Sequence, residues 1–247
     1  MRAEIVLTVA ESKRLIAKGV AQLPMVRERL QKGLIVVGAG TTNAYIVEEL
    51  LGERMDKRSY VAGRIKPARK ELQWPRPRSD VVLRDGRLDP SLDRTTAPLV
   101  MERGDIFIKG ANALNYGKGV AGVLVGHRQG GTIGGALGPV IARQMQLLIP
   151  VGLEKEVAFD IEEVASQIQD STEEGNVTSL FPVRGLIFTE IEALYTLCGV
   201  EALQAAAGGI AGAEGAVWLV LQGSQEQLSQ ALQIVQSVQG EPAFDPD

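Results

Sequence analysis

Apolar positions along this chain recur at helical spacing in some stretches and run unbroken in others. Residues 5–7 are apolar and short, either a strand or a docking segment. Thr8 and Glu11 then stand at capping-box spacing, and the pattern predicts a helix over 9–23. Pro24 suits the first turn of a second helix reaching about Lys32, and Gly33 stops it. Leu34-Ile35-Val36-Val37 is apolar throughout, as in a strand buried on both faces of a parallel sheet. A short helix over 44–51 ends at Gly52, and residues 60–65 read as a second strand. Further strands are predicted over 106–109, 120–125 and 147–151, with a helix around 137–145.

The later part of the chain has a different order. Residues 161–169 read as helix and 171–179 as a polar linker. A strand over 183–188 leads into Thr189 and Glu192, a second capping box, and a helix to Cys198. Strands over 201–207 and 216–221 follow, then an amphipathic helix over 225–238 and an edge strand over 239–244. The order β-α-β-β-α-β is that of a ferredoxin-like unit. The expectation is thus an α/β fold. A mainly parallel, Rossmann-like sheet with helices on both faces occupies residues 1–170, and a ferredoxin-like α+β domain occupies 180–247.

Residues 54–94 break the pattern. Twelve Lys/Arg face six acids there, and the stretch contains Trp74-Pro75-Arg76-Pro77-Arg78 and the turn signal Asp85-Gly86. It reads as an irregular basic insertion with one hairpin, residues 81–83 against 87–88. A loop of this length is commonly functional or disordered.

Composition narrows the function. Apolar residues make up 45% of the 247 and charged ones 23%, ordinary values for a globular chain with a real core. The net charge of −4 and an aromatic content of 4% argue against nucleic acid as a partner. One cysteine and one histidine build neither an intramolecular disulfide nor a metal cluster, which leaves open only a carboxylate-held magnesium site; the expectation is no metal and no cofactor. No apolar run reaches membrane-spanning length, and a cytoplasmic setting is the expectation.

The chemistry concentrates in three glycine-rich places. Gly38-Ala39-Gly40-Thr41-Thr42-Asn43 joins the 34–37 strand to a helix. Its glycines let the backbone approach a ligand, its threonines offer hydroxyls, and the helix start offers N–H groups to an anion. A nicotinamide-nucleotide reading is weaker, because Asn43 stands where a third glycine belongs and Arg64 where an acid would. Lys109, Gly110 and Asn112 follow a strand on the side where open α/β sheets bind ligands. Nine glycines lie between Gly117 and Gly138, and Gly130-Gly131-Thr132 with Gly134-Gly135 has the makings of a second anion nest. His127, the lone histidine, is the candidate general base.

The 38–45 segment, continued by Glu48-Glu49-Leu50, resembles the phosphate-binding motif of ribose-5-phosphate isomerase. Ile108-Lys109-Gly110-Ala111-Asn112-Ala113-Leu114 is similar to the lysine-glycine-glycine segment of that family, and residues 117–151 look like the last part of the wider sugar-isomerase and CoA-transferase-like superfamily. The resemblance spans roughly residues 33–155. It implies a phosphate held by Gly38, Gly40, Thr41, Thr42 and Asn43, with Lys109 facing the sugar. The acidic Asp-Gly-Ala-Asp-Glu motif of the isomerases does not stand between Ser91 and Lys109, and Gly117 takes the place of their glutamate. Glu154, after Gly152, is the nearest counterpart of the transferase nucleophile. Two functions therefore stand open. One is a sugar-phosphate isomerase-like or CoA-transferase-like enzyme, with Lys109 stabilising an oxyanion and His127 or a C-terminal acid as base. The other is a non-catalytic ligand-sensing or assembly protein. A small anionic metabolite and a homo-oligomer are the expected partners in either case.

Overall fold

The computed structural model describes residues 1–62, 65–69, 71–75, 80–170 and 177–245. The chain opens with β1 (Arg2–Leu7), α1 (Val9–Gln22), α2 (Pro24–Gln31), β2 (Leu34–Val37) and α3 (Thr41–Leu51). It continues through β3 (Val81–Arg84), β4 (Arg87–Leu88), β5 (Ile106–Ile108), β6 (Ala113–Asn115), β7 (Val120–Val125), α4 (Gly131–Ala142) and β8 (Gln146–Pro150). The last elements are α5 (Ile161–Gln169), β9 (Ser179–Val183), β10 (Leu186–Phe188), α6 (Glu190–Cys198), β11 (Glu201–Ala207), β12 (Val217–Gln222) and α7 (Gln225–Val238).

Local chemistry accounts for most of these boundaries. Thr8 and Thr189 cap α1 and α6 through reciprocal boxes with Glu11 and Glu192, and Ser224 caps α7 with Gln227. Gly52 closes α3 in the left-handed region at φ 69°, where a side chain would be strained. Asp85 and Gly86 both have positive φ, the backbone an Asp-Gly hairpin turn requires, and β3 pairs antiparallel with β4 as expected.

The protein is mixed α/β. Its main sheet has six strands in the order β10-β8-β5-β2-β3-β4, parallel through β10, β8, β5 and β2. β3 adds antiparallel to β2, so the supposedly irregular insertion supplies two strands of this sheet. None of the described residues of 60–65 lies in a strand. Lys57–Tyr60 is a 3₁₀ turn, and residues 63 and 64 lie outside the described ones. The Tyr60 hydroxyl bonds the Val37 carbonyl and receives the Val81 N–H at 2.7 Å, clamping the end of β2 to the start of β3.

Two three-stranded antiparallel sheets flank the main one. The first, β6-β7-β9, packs Val120 and Leu180 against Ile161 and Ala165 of α5. The second, β1-β12-β11, pairs the first strand of the chain with its last. Here the expected ferredoxin-like grouping is corrected. Residues 183–188 divide at Arg184 and Gly185, so that β9 closes the small sheet and β10 joins the edge of the main one. β1 takes the vacant place beside β12. Residues 239–244 form no strand; they run back across α1 and α3, where Arg14 donates to Glu48, Glu49 and Glu241. Burial opposes the Arg14 charge, but the hydrogen bonds it donates to those three carboxylates raise its pKa and hold it ionised. One apolar core runs from Ile5 and Leu7 through the main-sheet strands to Leu219 and Leu221.

Candidate functional site

The four parallel strands end together. Gly38 N–H donates to Ile108 O at 2.9 Å, Lys109 N–H to Leu148 O at 3.0 Å and Val151 N–H to Phe188 O at 3.0 Å, so the 38–43 turn, Lys109 and the 151–155 turn share one sheet edge. This carboxyl edge, where open α/β sheets bind ligands, holds a cleft of about 560 Å³. Gly40, Thr41, Thr42, Asn43, Lys109, Gly110, Asn112 and His127 all line it. Gly38 does not, since it packs beneath the floor. A Cβ there would meet Ile108 O and the Thr132 methyl, each at 3.4 Å.

The 38–43 turn is held from outside. Ala39 N–H donates to Asp80 Oδ1 at 2.9 Å and Gly40 N–H to Tyr60 O at 2.9 Å. Asn43 Nδ2 donates to Gly38 O at 2.7 Å and locks the turn on itself. α3 starts at Gly40 with no side-chain cap, leaving its first-turn N–H groups to the cleft. The Thr42 hydroxyl and Asn43 Oδ1 are buried, and among the described residues neither has a partner. Leaving such an atom unsatisfied costs roughly 1–3 kcal/mol.

α4 brings a second bare helix start to the same cleft. Gly130 at φ 80° precedes it without a side-chain cap, and Gly131 and Thr132 line the cleft. The expected nest before residue 137 is therefore the first turn of a helix that begins six residues earlier.

Charge in the cleft has one sign. Arg94, Lys109 and Lys155 line it, and none of the described lining residues is Asp or Glu. Lys109 Nζ donates to Gly110 O and Lys155 Nζ to Ala111 O, both at 2.9 Å. Burial and the nearby Lys155 charge push the Lys109 ammonium down to about 8, against the opposing pull of Asp80. Arg94 is paired with Asp80 at 3.0 Å.

The candidate bases stand differently from expectation. His127 is exposed, and its Nδ1 accepts the Gln129 N–H at 3.2 Å. That contact engages Nδ1 with the backbone of its own loop. Asn112 uses its side-chain oxygen on Leu124 N–H at 3.0 Å, so it holds β7 as well as lining the cleft. Glu154 turns away from the cleft lining into a buried group with Lys13, 3.9 Å distant, and Glu190. Sequence reasoning missed Arg94 and Lys155 as site residues. Lys155 had a readable signal, since it follows the end of a buried parallel strand. Arg94 did not, because its approach depends on the path of the insertion.

These features define a mixed α/β protein with a cationic cleft at the carboxyl edge of a parallel sheet core. Comparison of the chain with protein-family models, with curated proteins and with solved structures found no match. No helix among the described residues is long and apolar enough to cross a membrane.

Proposed function

We propose that the cleft binds a small phosphorylated or otherwise anionic metabolite. The observation that carries this reading is the convergence of two uncapped helix starts with Lys109 and Lys155 on a lining without a described carboxylate. Bare helix N-termini favour anions through their free N–H groups and their dipoles. The buried Thr42 hydroxyl adds a donor for an anion oxygen. The resemblance of the 38–45 and 108–114 segments to a sugar-phosphate isomerase supports the same ligand class, on a sheet used in the Rossmann-like manner.

Of the two functions, ligand sensing draws more from the geometry than isomerisation. Proton transfer between sugar carbons needs a base within hydrogen-bond reach. The described lining offers no carboxylate, and His127 has its Nδ1 engaged by the Gln129 N–H. The outer face of the β1-β12-β11 sheet leaves Val6, Trp218 and Leu203 exposed, which suits an assembling protein. The catalytic reading keeps one support. The desolvated Lys109 amine is pushed down to about 8 and stands beside a second lysine, a setting that activates amines.

Thermal-shift titration with inorganic phosphate, sugar phosphates, CoA esters and nucleotides tests the binding. A ligand that binds the native state alone raises the melting temperature. Thr41→Val/Thr42→Val is expected to abolish most of that rise. If no anion shifts the transition, or the double variant responds as the parent does, the reading fails.

A further inference from the structure

A single phosphate does not match the charge of the cleft. Lys109 and Lys155 form no ion pair among the described residues, whereas Arg94 is neutralised by Asp80. Each bare helix start adds about half a positive charge, so the lysines and the α3 and α4 termini together present roughly three. A phosphate monoester carries about −1.5 to −2 near neutral pH. A ligand with one such group leaves positive charge uncompensated, and a second group balances it.

The backbone points the same way at both helix starts. Gly40 precedes α3 with φ 173°, an extended conformation open to any residue. Gly135 sits in α4, where glycine is a poor helix former. Both line the cleft, and a Cβ on either would meet nothing within 4 Å. Neither turn geometry nor packing explains a glycine at these two places. What they have in common is open space beside a helix N-terminus. The two starts are separate structures, since α3 follows β2 of the main sheet and α4 follows β7 of a small one. The Thr132 methyl lies 3.4 Å from where a Cβ on Gly38 would stand, so the two starts face the same cleft.

We propose that the cleft takes a ligand bearing two phosphate-sized anionic groups. One group sits at the α3 terminus with the Thr42 hydroxyl, and the other at the α4 terminus beside Thr132. Lys109 and Lys155 supply the remaining charge. This proposal rests on the anion-binding reading and specifies its substrate class.

Calorimetric titration of the full chain with inorganic phosphate, pyrophosphate and the bisphosphate of propane-1,3-diol tests it. At least one of the two-phosphate probes is expected to bind tenfold or more tightly than phosphate. Thr41→Asp and Thr132→Asp each place a carboxylate in the first turn of one helix, where it complements the dipole and keeps the fold, as thermal unfolding verifies. Either variant is expected to remove the tenfold advantage. Phosphate binding with no gain from a second group would overturn the two-group proposal and leave the anion reading standing. So would an advantage that survives Thr132→Asp. If neither phosphate nor the two-phosphate probes bind, both readings fall.

Discussion

At the scale of single residues, the cleft is shaped as much by absent side chains as by present ones. Gly135 has ordinary helical backbone and open space where its Cβ would stand. Gly135→Ala is therefore expected to raise stability by up to about 1 kcal/mol, the usual difference between the two residues inside a helix. The same methyl projects into the cleft and is expected to weaken phosphate binding several-fold. Thermal unfolding and calorimetry on the one variant check both parts, and unchanged binding would return Gly135 to a structural role. The Thr42, Asn43 and Lys109 positions were legible in the sequence because residue type and strand-end position together imply them. The engagement of His127 Nδ1 was not, because it depends on where the Gln129 N–H points.

At the scale of elements, the start of α6 carries an acid that its helix dipole alone does not explain. Glu192 is the capping residue, as its spacing from Thr189 implied. Glu190 is instead fully buried and accepts the Leu153 N–H at 3.0 Å, tying α6 to the turn after β8. Burial, with the Glu154 charge beside it, pushes its carboxyl up to about 7. A folded-state pKa above the unfolded one means the native protein holds this proton more tightly. The stabilisation is complete below the ordinary carboxyl range and is lost as pH rises through about 7. Glu190→Gln keeps an acceptor for Leu153 and removes the titration. The parent is expected to lose roughly 1–3 kcal/mol more than the variant between acidic and mildly alkaline pH. Denaturant midpoints measured for both at pH 5 and pH 8 check this, and parallel losses would show that Glu190 does not govern that range.

At the scale of the whole molecule, the two ends of the chain are interwoven. β12 is the central strand of its sheet, with β1 on one side and β11 on the other. α1 packs against α3, α6 and α7, so the first helix joins the main sheet to the C-terminal elements. Gly19 allows one of these contacts, because a Cβ there would fall 2.8 Å from Ala193 Cα. The tail adds a second tie, with Phe244 between Tyr45 and Trp74 at centroid distances of 6.2 and 5.9 Å. A fragment of residues 180–247 is accordingly expected to show no cooperative thermal transition by circular dichroism, whereas the full chain shows one. Its sheet lacks β1 and its helices lack α1. A sharp transition in the fragment would show that these pairings are dispensable.

The sequence by itself determined the local elements. Capping boxes, the Asp-Gly turn, the unbroken apolar strand and the bare glycine-threonine helix start each depend on residues within a few positions of one another. It also located the 38–43 turn at the cleft, since strand, turn and helix start are contiguous. Tertiary structure alone decided which strands share a sheet, because pairing β1 with β12 or β10 with β8 closes loops across distant parts of the chain. The order of elements permits more than one such closure, and only packing selects between them. The same holds for the cleft. α4, Arg94 and Lys155 reach it by three separate paths, and the one-sign charge that defines it exists only where those paths meet.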